Sequence, residues 1–279
     1  MPRGKLVLCA TPIGNLEDVT LRLLRVLAEA QVVACEDTRR TRKLLTHHGV
    51  QVARLVTYNE ANERRRAPEL LQLIRRGATV ALVSDAGMPG LSDPGYRLVK
   101  ACTDEDLPVE VVPGPTAAIS ALALSGLPPS RFVFEGFLPR KKGDRQRRLE
   151  ALRDEERTLV IYESPHRVEA ALTDLAAAWG PRPAALAREL TKMHEEVRRG
   201  TLHELVEGVK KDPPRGEIVL VIGGRLQRDR EVDPPSLARD ARKLMDEGMD
   251  RRAAMQEVAR AAGVPRRAVF DALVADEDG

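Results

Sequence analysis

A carboxylate that directly follows an apolar run is the sequence feature with the clearest chemical potential. Residues 80–83 are strand-forming and apolar, and Asp85 follows them at the start of an Asp-Ala-Gly-Met-Pro-Gly stretch. Open α/β sheets bind ligands at the carboxyl edges of their strands, where glycine lets the backbone approach a ligand closely. Asp85 is therefore a candidate ligand contact, although capping of a tight turn is an equally good interpretation.

Two clusters of basic side chains could contact phosphate groups. The first contains Arg39, and the second contains Arg140, Lys141, Lys142 and Arg145. The second cluster follows a predicted strand, and residues 139–144 form a predicted loop with no acid before its last position. Backbone charge supplies most of the affinity for RNA, so these five residues are predicted to contact RNA.

Composition narrows the class of protein. The net charge of +3 and the sequence pI near 8.8 indicate a polyanionic partner only weakly. Aromatic residues make up 3% of the chain, which argues against a platform that stacks many bases. The three scattered cysteines and the isolated histidines lack the spacing of a metal site, so no metal is expected. No apolar run is long enough for a signal peptide or a membrane span, which predicts a cytoplasmic protein without a membrane partner.

Alternating strand and helix patterns position these residues. The first half predicts strands over residues 5–10, 32–35, 54–58, 80–83 and 109–112, with helices between them. Ser92-Asp93-Pro94 is predicted to start one helix, and Gly114-Pro115-Thr116 another. Such alternation predicts a parallel sheet with helices on both faces.

A Ser-Gly-Leu-Pro-Pro stretch interrupts this alternation and predicts a domain boundary. The predicted domains are residues 1–125 (α/β), residues 126–226 (a second α/β domain) and residues 235–276 (a helix-turn-helix-like segment). In the second domain, strands are predicted over residues 132–134, 159–162, 184–187 and 217–222, and helices over residues 145–155, 168–179 and 202–210. Residues 225–236 form a predicted linker. The last segment could bind RNA or pack at a dimer edge.

Eight strings occur in an order that resembles one family. They are ATPIGNLEDVTLR, ACEDTRRTRKLL, VSDAGMPGLSDPGYRLV, VPGPTAAISALALSGLP, FEGFLPRKKGDR, YESPHRV, ARELTKMHEEVRRGTL and GEIVLVIGG. This series resembles the bacterial ribosomal RNA small subunit methyltransferase I family, 2′-O-methyltransferases of the tetrapyrrole methylase (class III) superfamily. The resemblance implies S-adenosylmethionine (SAM) bound in a cleft between two α/β domains, homodimerisation, and methylation of a decoding-site cytidine ribose in 16S RNA within the small ribosomal subunit.

The same resemblance implies a set of cofactor contacts. They are Pro12, Asp85, Gly87, Met88, Thr116, Ala117, Tyr162, Ala187 and Glu217. The backbone N–H groups at the start of the helix after Thr116 would suit the carboxylate of SAM. For Ala187, ordinary packing is nearly as good an interpretation.

Transfer of a methyl group to a ribose hydroxyl needs alignment and removal of one proton. Several groups could take that proton: Glu36, Asp37, Asp85, Glu163, His166, Lys192 and Glu195. Asp37, Glu163 and Lys192 are the candidate catalytic residues, and the residue types do not choose among them. Two other functions stay open, a methyltransferase for a tetrapyrrole or corrinoid precursor and a non-catalytic RNA-binding assembly factor.

Overall fold

The computed structural model describes residues 4–225, 234–262 and 264–277. The chain divides into two compact units between residues 225 and 226. The first unit contains two five-stranded sheets, and the second contains three helices. The predicted domain boundary near residue 125 lies inside the first unit and stays a prediction.

The first sheet is parallel throughout, in the order β3-β2-β4-β1-β5. Its strands are β1 (Lys5–Cys9), β2 (Val32–Cys35), β3 (Leu55–Thr57), β4 (Thr79–Val83) and β5 (Val109–Val112). Its helices are α1 (Leu21–Glu29), α2 (Thr38–His47), α3 (Glu63–Arg75), α4 (Tyr96–Thr103) and α5 (Ala117–Ser125). This architecture confirms the predicted parallel sheet.

Alternate residues of β4 explain why helices cover both faces of this sheet. Val80 and Leu82 pack in one core with α3 and α4, whereas Ala81 and Val83 pack in another core with α1. All four side chains are buried. A strand buried on both faces appears in the sequence as a continuous apolar run, which is why these strands were predictable.

The start of α4 differs from the prediction. Helix α4 begins at Tyr96, and its N-cap is Gly95, which provides no side-chain hydrogen bond. Ser92 has φ of +63°, outside the extended conformation that an N-cap residue takes. The predicted helix start at Ser92-Asp93-Pro94 is therefore wrong, and Asp93 belongs to the loop instead.

The second sheet is mixed, in the order β6-β7-β10-β8-β9, and only its β6–β7 pair is parallel. Its strands are β6 (Phe132–Phe137), β7 (Thr158–Glu163), β8 (Pro183–Arg188), β9 (Glu196–Thr201) and β10 (Ile218–Ile222). Its helices are α6 (Lys142–Ala151), α7 (Val168–Trp179) and α8 (Leu202–Lys211). The predicted mixture of strands and helices is confirmed.

Strand β10 connects the cores of the second sheet. Ile218, Leu220 and Ile222 pack against α7 and α8, whereas Val219 and Val221 pack against helix α5 of the first sheet. Helix α5, which follows the last strand of the first sheet along the chain, therefore packs on the second sheet.

The second unit consists of α9 (Pro234–Asp246), α10 (Arg251–Ala262) and α11 (Arg266–Glu277). Its core contains Leu237, Val258, Val269 and Leu273. The predicted helix pair at the C-terminal end is confirmed by α10 and α11. Gly263 of the predicted turn and residues 226–233 of the predicted linker lie outside the described residues.

Among the helices that the structure describes, none combines the length and the apolar character needed to cross a membrane.

Candidate active site

A cavity of about 510 Å³ lies where the carboxyl edge of the first sheet faces the second sheet. The loop after β4 and the first turn of α5 form one wall, and β6, β7 and β10 with their adjoining loops form the other. The predicted site residues in its lining are Asp85, Gly87, Met88, Thr116, Ala117, Tyr162, Glu163 and Glu217. Residues predicted from distant strings are thus brought to one place.

Hydrogen bonds hold the glycine-rich loop in position. The backbone of Gly87 and Thr11 exchange two bonds, of 2.9 and 3.0 Å, and the Ser84 hydroxyl donates to the Gly87 carbonyl at 3.1 Å. Gly87 has φ of +79°, a backbone conformation that residues other than glycine rarely adopt. This loop therefore takes a fixed path along the cavity.

The first turn of α5 supplies donors to the cavity. Thr116 is the N-cap, and its hydroxyl accepts a bond from the Ile119 amide at 3.3 Å. Within the described chain, the Ala117 amide donates to no backbone carbonyl, whereas the Ala118 amide donates to the Tyr162 hydroxyl. Free N–H groups at a helix N-terminus favour a carboxylate or another anion. This observation fits the amino acid end of the predicted cofactor.

The rest of the lining combines carboxylates with apolar walls. Asp85, Asp93, Glu163 and Glu217 line the cavity, and Arg40 is the only basic residue among its lining residues. Three of the four phenylalanines in the chain, those of β6, also line it. An acidic, aromatic cavity favours a ligand with a positive charge and flat apolar surface, as SAM has.

Asp85 is held by groups from α2 and its N-terminal loop. Its carboxylate accepts a 3.0 Å bond from the Asp37 amide and lies 3.5 Å from the Arg40 guanidinium. Its own amide donates to the Glu36 carboxylate at 3.2 Å. The side chain is thus oriented at the cavity edge by contacts that leave part of it exposed.

Asp93 lies among other acids. Burial, together with the nearby carboxylates of Glu36, Asp85 and Glu217, raises the pKa of Asp93 to about 7, although the Ser84 hydroxyl opposes the change. Burial also raises the pKa of Glu36. Two acids of this group therefore bind a proton more readily than an exposed carboxylate does.

The raised pKa of Asp93 predicts a specific pH dependence of stability. Because the unfolded group titrates near 3.8 and the folded group near 7, the folded state binds the extra proton between these values. This contribution is fully present below pH 3.8 and is lost as the pH rises through 7, with an upper bound of about 4 kcal/mol. Urea unfolding across this range should show the free energy of unfolding decreasing, and Asp93→Asn should flatten the curve. An equal effect of Asp104→Asn, on the exposed end of α4, would contradict this assignment.

Glu163 is almost completely buried at the end of β7. One carboxylate oxygen accepts a 2.8 Å bond from the Ser164 amide, and the other lies 3.4 Å from the Arg167 guanidinium without a hydrogen bond. Burial raises the pKa of Glu163, although the Ser164 amide and Arg167 lower it. The Glu163 carboxyl group therefore binds a proton more readily than an exposed glutamate does.

Lys192 lies in an adjoining cavity of about 230 Å³ that Pro12 also lines. Its ammonium group donates to Glu189 at 2.8 Å and to Glu217 at 3.1 Å. Burial lowers the pKa of Lys192, but the two carboxylates more than offset this and raise it overall. Lys192 is therefore held as a cation, which suits positioning of Glu217 and not removal of a proton.

Asp37 and Arg39 lie outside the linings of both cavities. The Asp37 carboxylate caps α2 and pairs with Arg39 at 2.8 Å. Hydrogen bonds from the Arg39 side chain and backbone lower the pKa of Asp37 to about 2. Such a carboxylate is a weak proton acceptor, and the structure does not support its predicted catalytic role.

Ala187 and Tyr162 differ in their access to the main cavity. Tyr162 lines it and packs against Phe134 and Phe137, with ring centroids 5.1 and 5.6 Å away. Ala187 pairs with Val219 inside the sheet, is buried, and does not line the cavity. The packing interpretation of Ala187 therefore fits the structure better than a cofactor contact.

The second basic cluster separates into exposed and buried residues. Arg140, Lys141 and Lys142 are exposed, but Lys142 begins α6, so the predicted loop is shorter than expected. Arg145 is buried, pairs with Asp174 at 2.6 Å, and donates to the backbone carbonyls of residues 139 and 140. The structure does not favour the predicted phosphate contact at Arg145, which stays a prediction, because the guanidinium is enclosed by the protein.

Replacing Arg145 should destabilise the fold. Arg145→Met leaves the Asp174 carboxylate buried and uncompensated, which should cost about 3–5 kcal/mol in urea unfolding. Arg147→Met, which breaks an exposed pair with Asp144, should cost less than about 1 kcal/mol. Normal stability with weakened RNA binding in Arg145→Met would instead support the original phosphate contact.

Sequence reasoning missed Asp93, Arg40 and the phenylalanines of β6 as site residues. Asp93 was predicted to lie at the start of a helix. In the first basic cluster, Arg39 and not Arg40 was the predicted site residue. Proximity to Asp85 in the same glycine-rich stretch is the signal that could have identified Asp93. In the described residues, no group of three or more His, Cys, Asp or Glu side chains could hold a metal ion.

A parallel sheet with a cavity at its carboxyl edge, closed by a second mixed sheet, defines a two-sheet class of α/β protein. The family model for tetrapyrrole (corrin/porphyrin) methylases matches residues 5–206. A uroporphyrin-III-C-methyltransferase from Thermus thermophilus has a similar fold, with a TM-score of 0.56, 28% identity, and coverage of 79% of this chain and 94% of that chain. The two chains share the overall fold.

Two relatives are more similar in sequence. A ribosomal RNA small subunit methyltransferase I from Thermotoga maritima is 47% identical over 222 residues, 80% of this chain and 99% of the relative. Another of that name, from Synechocystis sp., is 44% identical over 279 residues, 99% of this chain and 100% of the relative. The chain belongs to the tetrapyrrole (corrin/porphyrin) methylase family and, within it, to the ribosomal RNA small subunit methyltransferase I proteins. This membership confirms the predicted family, fold class and methyltransferase activity.

Proposed function

We propose that the chain transfers a methyl group from SAM to the 2′-oxygen of a decoding-site cytidine ribose in 16S ribosomal RNA. The observation that carries the proposal is one cavity that combines the N-terminus of helix α5, carboxylates and aromatic walls. The RNA substrate rests on the names of the relatives and on the exposed basic segment at residues 140–142. The protein is proposed to act in the cytoplasm, as a homodimer, on the small ribosomal subunit.

Several residues would hold SAM. The Ala117 amide at the start of α5 suits its carboxylate, and Asp85 and Glu217 provide negative charge for its cationic groups. Gly87 keeps the backbone close to the cavity. SAM supplies an electrophilic methyl group on a sulfonium. The protein therefore has to align the ribose hydroxyl and exclude competing water.

The hydroxyl proton must also leave during transfer. Asp93 and Glu163 line the cavity, and the pKa of each carboxyl group is raised, that of Asp93 to about 7. Each is therefore a better proton acceptor than an exposed carboxylate. Asp37 and Lys192 are less suitable, because Asp37 is strongly acidic and Lys192 is held as a cation. We therefore propose Asp93 and Glu163 as the candidate proton acceptors. Of the three residues predicted from the sequence, only Glu163 is kept.

A tetrapyrrole precursor is the second candidate substrate, favoured by the fold likeness to a uroporphyrin-III-C-methyltransferase. One assay separates the candidates. Labelled SAM is incubated with isolated small subunits, naked 16S RNA and a mixture of porphyrinoids. Label in RNA is expected, and label in the porphyrinoids would contradict the proposal. If calorimetry detects no binding of SAM to the protein, a non-catalytic RNA-binding assembly factor would instead be favoured.

A further inference from the structure

The three-helix unit contains a cavity of about 600 Å³ between α10 and α11. Its lining residues are Arg252, Met255, Arg266, Arg267 and Phe270, and we call it the arginine–phenylalanine pocket. We propose that this pocket binds a single-stranded segment of RNA. The inference rests on the proposed function for the identity of that RNA and extends it, since the unit lies outside residues 5–206 that the methylase model matches.

Helix periodicity brings the pocket residues together. Arg252 and Met255 are three residues apart on α10, and Arg266 and Phe270 are four residues apart on α11, so each pair shares one helix face. Phe270 is 47% exposed, which is unusual for a phenylalanine in a packed helical unit. The chain has four phenylalanines, and this is the only one outside β6. An accessible aromatic ring can stack on a base.

Charge is segregated on this unit. Acidic and basic residues are equally numerous in residues 234–277, yet three arginines and no acid line the pocket. Several acids of the unit pair elsewhere, as Asp276 does with Arg242 and Glu257 does with Arg260. The pocket therefore has a local positive charge that the composition of the unit does not reveal.

Two of the arginines are available for a ligand. Neither Arg252 nor Arg266 has a carboxylate within ion-pair distance in the parts of the chain that the structure describes. Asp250 accepts bonds from the Arg252 and Ala253 amides as the cap of α10, and Asp271 lies 3.9 Å from Arg267. Both of these acids lie outside the pocket lining.

The combination of groups favours RNA over a protein partner. Guanidinium groups bind phosphate oxygens in a bidentate manner and also stack on bases, and Phe270 adds an apolar face for stacking. A small pocket with one aromatic ring suits one or two unpaired nucleotides, with phosphates on the arginines. The alignment with the T. maritima relative covers 222 residues, which is 99% of that protein. That relative, a ribosomal RNA small subunit methyltransferase I, is therefore too short to hold both units. This size difference is consistent with an added role in substrate binding for the three-helix unit, separate from the chemistry.

The test measures binding of the full-length chain to a fluorescent single-stranded oligouridylate across a salt series. The double variant Arg252→Gln, Arg266→Gln should bind about tenfold more weakly at low salt, and the slope of log K against log salt should fall by about 1.4. Phe270→Leu keeps the apolar volume and should weaken binding about fivefold or more without changing the slope. The matched control, Arg64→Gln, Arg65→Gln, removes the same charge from exposed positions on α3 and should change binding much less.

Other outcomes would overturn the inference. The inference is wrong if the pocket variants bind the RNA with the affinity and salt slope of the wild type. It is also wrong if the control variant loses as much RNA affinity as the pocket variants do. A loss of association with small subunits at unchanged RNA affinity would assign the pocket to a protein partner instead. Methyl transfer by the wild-type chain is measured in parallel. If the wild-type chain methylates RNA and the pocket variants bind RNA normally, only this inference is overturned. If the wild-type chain does not methylate RNA but the pocket variants bind RNA more weakly, only the proposed function is overturned.

Discussion

Asp85→Ala should weaken SAM binding by about 1.5–3 kcal/mol, measured by calorimetry, while the protein stays folded. The carboxylate lies at the edge of the main cavity, is partly exposed, and is oriented by the Asp37 amide and Arg40. In the proposed site its loss would remove a charge-assisted hydrogen bond to the cofactor, and it would leave the apolar cores intact. The effect should therefore appear in affinity and not in unfolding.

The matched control for Asp85→Ala is Asp104→Ala. Asp104 is exposed after the end of α4, where it pairs with Lys100. Its replacement changes the net charge equally but removes no group from the cavity. If both variants bind SAM as the wild type does, Asp85 caps its turn and has no part in the cofactor site.

Neutralising Arg140, Lys141 and Lys142 together should weaken RNA binding strongly and leave SAM binding unchanged. All three side chains are exposed at the start of α6, and each phosphate contact adds about 0.7–0.9 to the salt slope. The slope should therefore fall by about 2, with a loss on the order of a hundredfold in affinity near 0.1 M salt. Fluorescence anisotropy with 16S RNA across a salt series measures both quantities.

A triple replacement of Arg64, Arg65 and Arg76 is the control for that variant. These arginines are exposed on or just after α3 and carry the same total charge. Their loss should change the slope little if the segment at 140–142 makes the phosphate contacts. A wild-type slope after replacement of the 140–142 segment would assign it to the solvated surface.

The parallel sheet was predictable because its strands are buried on both faces. Strand β4, for example, has four consecutive buried residues, and local sequence shows such a run directly. Strand β9 was not predicted, since it is an edge strand with charged side chains. Its Arg198 pairs with Glu196 across two residues and with Asp212 after α8. Apolar periodicity does not reveal a strand of this kind.

The site was only partly predictable, because several of its features depend on contacts between distant residues. The position of Asp85 followed from a strand end and a glycine-rich loop. The state of Lys192 depends on Glu217, which is 25 residues away in sequence, and the burial of Arg145 depends on Asp174 on another helix. Residue type predicted a charge at each of these positions, but only the fold shows whether that charge faces a ligand or another side chain.

Alkaline cleavage distinguishes a methyl group on a ribose oxygen of 16S RNA, as we propose, from one on a base. A 2′-O-methyl group prevents attack on the adjacent phosphate, whereas a methyl group on the base does not. RNA from small subunits incubated with the protein and labelled SAM is therefore compared with RNA from untreated subunits on alkaline ladders. We expect one missing band in the treated sample, whereas a complete ladder despite incorporated label would rule out methylation of the ribose.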